Sequence, residues 1–174
     1  MVAVNFAKIS IGRPIDYMDL GTMERYREKA ISLLEQMIRS KGKEPSDYVI
    51  RDILPKTDLG FAQEEWKVSY SSTYTEETLV DITLKEKFVA IYGYTNLNPQ
   101  PKTVVLKFKR GVDVLYLLNV QPLYIFEKPI CYFDPIGYGE DDQMIVTGIA
   151  NATGTDNPVL LGVVAELVSK TLSI

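Results

Sequence analysis

The stretch FDPIGYGEDDQM, Phe133 to Met144, carries Asp134, Glu140, Asp141 and Asp142, four carboxylates within nine residues. Such density offers hard oxygen ligands, and Gly137 and Gly139 would let backbone carbonyls turn inward, so the chemistry to expect of it is Ca²⁺ binding. Asp134, Asp141 and Asp142 are the candidate ligands. Their spacing matches no EF-hand or other cation loop. Turn formers mixed with charge are also what a solvated connection between strands requires, and a charged turn is the reading this stretch fits better.

A second acidic pair, Glu64-Glu65 before Trp66, has the composition of a glycosidase site with a sugar platform. Adjacent residues on a strand point to opposite faces, however, so these two cannot flank one bond, and Trp66 reads as a core aromatic. Cys131, in KPICYF, lies inside an apolar run and reads as a buried, unreactive thiol. The 174 residues include no histidine. That removes Ser-His and Cys-His dyads, imidazole bases and every zinc site that needs His. GYG at Gly137 to Gly139 is too short to cradle a phosphate, and no Walker or dinucleotide pattern occurs. The expectation is a chain without catalytic residues and without a cofactor.

The eleven tyrosines are the remaining side chains with a chemical use. Tyr92, Tyr94, Tyr116, Tyr124, Tyr132 and Tyr138 fall in or beside β-patterned segments, where half-exposed rings would suit a protein interface or a carbohydrate face. They would equally fill half-buried strand positions. Tyr92 and Tyr94 are taken as interface candidates.

The elements that must position these residues follow from hydrophobic period. Residues 1 to 20 alternate weakly and contain Pro14, which predicts an extended arm or edge strand whose Phe6, Ile9 and Ile11 are further interface candidates. From Gly21, apolar residues recur at three and four: Met23, Tyr26, Ala30, Leu33, Leu34, Met37 and Ile38. Thr22 is placed to cap this amphipathic helix and Gly42 to end it. Thereafter the period is two. Strands are expected at Tyr48 to Leu54, Trp66 to Tyr70, Val80 to Leu84, Lys87 to Leu97, a hairpin around Arg110-Gly111, Pro122 to Phe133, Gln143 to Asn151 and Pro158 to Val168. Strands at this spacing, punctuated by NLNPQP, RG, EKP, IGYGEDD and TGTDNP, predict a mainly β chain. The architecture expected is an antiparallel β-sandwich, with a jelly roll as one form of it. Residues 1–45 would form the arm and helix, and 46–174 the sandwich.

Apolar residues make up 46% and charged residues 24% of the chain, the composition of an ordinary globular core. With a net charge of −4 and no basic stripe, nucleic acid is not an expected partner. The first residues lack the basic start, apolar run and small-residue site of a secretory signal, and no stretch is apolar for long enough to span a bilayer as a helix. Neither export by that route nor a membrane partner is expected.

The segments FVAIYGYTNL, LKFKRGVDVLYLLNVQPLY, EKPICYFDPIGYGEDDQMIV and VLLGVVAE are short β runs joined by turns without a catalytic motif. In this, roughly Lys87 to Val168 resembles β-sandwich structural proteins of tailed viruses: capsid cement, connector and tail proteins. The resemblance implies a non-enzymatic assembly protein located in the virion and assembled in the cytoplasm, a homo-oligomer whose sandwich contacts neighbouring subunits while the arm reaches an adjacent one. The other class left open is a carbohydrate-binding β-sandwich with calcium at the acidic loop.

Overall fold

The computed structural model describes residues 15–125 and 130–171. Its first element is helix α1, Ile15–Ser40, followed by β1, Tyr48–Asp52, and a short helix α2, Pro55–Leu59. Nine strands then follow: β2 (Val68–Tyr70), β3 (Glu77–Thr83), β4 (Lys87–Asn96), β5 (Thr103–Arg110), β6 (Asp113–Asn119), β7 (Ile130–Tyr138), β8 (Gln143–Ala150), β9 (Gly154–Asp156) and β10 (Pro158–Leu167). One helical turn, α3 (Val168–Thr171), closes the described chain.

All strand pairs are antiparallel, and their partners nest: β1 with β10, β2 with β9, β3 with β8, β4 with β7 and β5 with β6. The chain is therefore one long ribbon closed by the β5–β6 hairpin. Coiling that ribbon brings β10 beside β4 and β8 beside β5. The result is two four-stranded sheets: sheet A in the order β1-β10-β4-β7 and sheet C in the order β3-β8-β5-β6, with β2-β9 as a separate ribbon. This nesting, with successive ribbon pairs falling in opposite sheets, is the jelly roll. The expected antiparallel β-sandwich is present, with the helix docked on one face of it.

Two buried layers hold the molecule. Between the sheets lie Ile91, Tyr94, Leu106, Phe108, Leu118, Phe133, Met144, Val146 and Val164. The rings of Phe108, Tyr116 and Phe133 meet one another at centroid distances of 5.2 to 6.5 Å. On the other side of sheet A, Tyr26, Ala30, Leu34 and Ile38 of α1, spaced by four, cover Phe88, Ala90, Tyr92, Tyr132, Val163 and Ala165. Tyr26 stacks on Tyr132 at 5.3 Å. Gly137 is the seat of the last helical turns, since a Cβ there would come within 2.6 Å of the Met37 sulfur. Gly42, at φ 74°, ends α1 in the left-handed conformation expected of it.

Three expectations need correction. The helix begins at Ile15 rather than after Gly21, because a proline just before the first turn removes only an N–H that has no intrahelical partner. Pro122 to Ile125 is not strand but a 3-10 turn, Gln121–Ile125, in which Leu123 alone is buried. Asp134 to Tyr138, read as loop from its Asp, Pro and Gly, belongs to β7. The register against β4 shifts at this point, and an irregular edge strand tolerates a proline that cannot donate to the ladder. Helix α2 and strand β9 carry no periodicity long enough to be seen in sequence.

Candidate functional site

The acidic stretch resolves into separate ion pairs. Glu140 accepts from Lys43 Nζ at 2.7 Å, Asp141 faces Lys85 Nζ at 3.7 Å, and Asp142 faces Arg110 Nε at 3.2 Å. Asp142 also accepts the Gly139 N–H at 2.7 Å, and Asp141 takes φ 71°, as a tight turn between β7 and β8 demands. Asp134 stands apart, exposed on β7. The three candidate ligands are thus not brought together. Among the described residues no group of three or more His, Cys, Asp or Glu side chains is close enough to hold a metal ion.

The aromatic and thiol candidates are interior. Tyr92 is 3% and Tyr94 0% exposed; the first lies under α1 and the second between the sheets, which corrects their reading as interface residues. Tyr116, Tyr132 and Tyr138 are also buried. Cys131 is buried, and burial pushes its thiol up to about 12. Trp66 packs edge-on against Phe61 at 5.6 Å, as a core-lining aromatic. Phe6, Ile9 and Ile11 lie outside the described residues. No helix among the described residues is long and apolar enough to cross a membrane.

Two polar clusters escaped the sequence reading. At one end of sheet A, Arg51 of β1 grips Asp58 of α2 through both Nη atoms, at 2.7 and 2.9 Å, and reaches Glu166 of β10 through Nε at 2.9 Å. Lys87 of β4 completes the set, 3.0 Å from Asp58. Burial works to raise the Asp58 carboxyl, but bonds from Arg51, the Leu54 amide and Lys87 outweigh it and hold the group below its ordinary value. Two cations balance two buried anions and fasten α2 to three strands. The visible signal in sequence was Glu166 alone in an apolar run.

Toward the opposite end of β4, Asp156 is fully buried and its Oδ2 accepts from Thr103 N at 2.8 Å, Thr103 Oγ1 at 2.6 Å and Asn96 Nδ2 at 3.1 Å. Because the Thr103 hydroxyl proton goes to Asp156, Tyr70 must donate to Thr103 Oγ1, at 2.8 Å. Tyr124 donates to the Thr103 carbonyl at 2.7 Å, so Tyr94 donates to Tyr124 at 2.6 Å. The network ties β2, β4, β5 and β9; Asp156 Oδ1 is buried without a hydrogen-bond partner among the described residues.

What remains is the outside of sheet C. Its edge strand β6, DVLYLLN, turns Val114 and Leu117 to solvent at 55% and 52% exposure, and Val112 in the adjoining turn at 94%. The other edges carry protection: Arg51 and Asp52 on β1, Glu77 and Asp81 on β3, Asp134 and Pro135 on β7. β6 has only Asp113 at its start and one register shift, near Leu115, leaving Tyr116 to Asn119 in regular ladder. Sequence reasoning treated this run as one arm of a hairpin and missed that it would be an outer edge. No family model matches the chain, and a search of curated proteins returns no match either.

Proposed function

We propose that this protein is a non-enzymatic assembly protein, a component of a virus particle, whose copies join through the β6 edge of sheet C. The observation that carries the reading is that edge: backbone N–H and C=O groups that no strand among the described residues pairs, flanked by exposed Val112, Val114 and Leu117, with none of the lysine or proline that keeps an edge from pairing. Two copies can place β6 against β6 about a twofold axis, each completing the ladder of the other. The jelly roll serves capsid proteins, and also lectins and cupins, so the edge rather than the fold bears the argument. A carbohydrate platform needs exposed rings, and among the described residues Tyr74 alone turns an aromatic ring largely to solvent.

Sedimentation velocity of the full chain over a wide concentration range tests this. Mass should rise with concentration for the wild type, and Leu117→Lys should remain monomeric with an unchanged melting temperature. A wild-type chain that stays monomeric throughout, or a variant that associates as well as the wild type, overturns the proposal.

A further inference from the structure

Sheet A is four strands wide, about 19 Å at ~4.8 Å per strand, and one helix covers about 10 Å. Helix α1 lies chiefly against β7 and β4, and less against β10. Val163 and Ala165 of β10 are still covered, but toward Leu161 and Asp52 the cover of α1 runs out. Here lies a groove of 260 Å³ lined by Met23 and Arg27 of α1 together with Asp52, Trp66, Tyr92 and Leu161. Across the rim, Arg27 Nε meets Asp52 Oδ1 at 2.9 Å, and the Asp52 side chain is 71% exposed.

We propose that this groove receives residues 2–11 of a second copy of the chain, with Phe6 filling it. The inference rests on the assembly reading above. Fourteen residues precede α1; extended, they span about 46 Å at ~3.3 Å each, longer than the helix itself at about 39 Å. Val2, Val4, Phe6 and Lys8 share one face of an extended chain. With Phe6 in the groove, Lys8 falls some 7 Å further along the same face, within reach of the exposed Asp52 carboxylate. Symmetry supplies the reason for a second contact. A β6-to-β6 contact is isologous and closes at two copies, whereas an arm entering a groove is heterologous and propagates to rings or shells.

Two full-length chains, Phe6→Cys and Leu161→Cys, the second carrying a small mass tag, would be mixed and oxidised. Cys131 stays out of exchange because it is buried. A disulfide-linked dimer of unlike chains, absent when either chain is oxidised alone, is the expected result. If a single chain carrying both cysteines closes on itself to a linked monomer, or if no unlike dimer forms, the inference is overturned. Deleting residues 1–13 separates the two contacts: dimers should persist and larger species vanish. Unchanged larger species would refute the arm's role while leaving the β6 contact standing, and Leu117→Lys addresses that contact alone.

Discussion

Sheet A and sheet C contain four strands each, but their central strands obey different rules. In β4, seven consecutive residues from Phe88 to Tyr94 are buried, because α1 covers one face and sheet C the other. In β5, Leu106 and Phe108 are buried while Lys107 and Lys109 between them face outward and share Glu76 at 3.2 and 2.8 Å. A strand covered twice reads as a continuous apolar run and a strand covered once as an alternation. The lesson is that sheet A is buried on both faces apart from the groove beside α1, whereas sheet C keeps an outer face that no helix covers and the β6 edge.

The largest expected effects come from disturbing what sheet A alone possesses. Arg51→Met would leave the buried Asp58 and Glu166 facing one ammonium, and should cost about 3–5 kcal/mol, as breaking a buried pair does. Charge removal at Lys107 on the outside of sheet C should cost under about 1 kcal/mol. Urea denaturation of both variants checks the contrast, and equal losses would erase it. Phe88→Ala, fully buried beneath α1, should lose about 3–5 kcal/mol, whereas Leu117→Ala on the bare sheet should fall within about 0.5 kcal/mol. Gly137→Ala probes how closely the helix sits: the added methyl meets Met37 and Leu33, and a cost of about 1–3 kcal/mol is expected from overpacking. A neutral result in thermal melts would mean that α1 rides more loosely than its packing indicates.

The smallest effect separates the sheets by pH. Glu76 is held down to about 2 by hydrogen bonds from Lys109, Thr147 and Lys107. A carboxyl lowered on folding stabilises the folded state above its ordinary value of 4.5 and loses that contribution as pH falls toward 2. Since the group is largely exposed to solvent, the gain is under about 1 kcal/mol. Glu76→Gln should therefore lower the melting temperature slightly near neutrality, with the difference from the wild type closing as pH falls from 4.5 toward 2. An equal slope in both chains would remove Glu76 from the account.

Much of this fold was legible because it is repetitive. The stripe Tyr26, Ala30, Leu34, Ile38 fixed the buried face of α1, the double-faced run in β4 placed it at the centre, and the alternation around Arg110-Gly111 gave the β5–β6 hairpin. Sheet order was not legible, since nothing local says that β10 will lie between β1 and β4. The site was harder still. Tyr92 and Tyr94 looked like contact residues because tyrosine suits both a surface and a half-buried strand, and only the helix overhead and the second sheet below decide which applies. Glu166 and Asp58 are more than a hundred residues apart in sequence, and their partnership through Arg51 exists only after the ribbon has coiled. Val114 and Leu117 gave no signal of exposure, because being at an edge is a property of the sheet and not of the strand.

The most direct test of the claim that β6 is an interface is hydrogen exchange of its own backbone, followed at low and at high protein concentration. Pairing between copies predicts that amides within Tyr116 to Asn119 gain protection as concentration rises, that β1 and β3 amides do not, and that Leu117→Lys abolishes the gain. Exchange in β6 that is fast and independent of concentration in the wild-type chain would contradict the account.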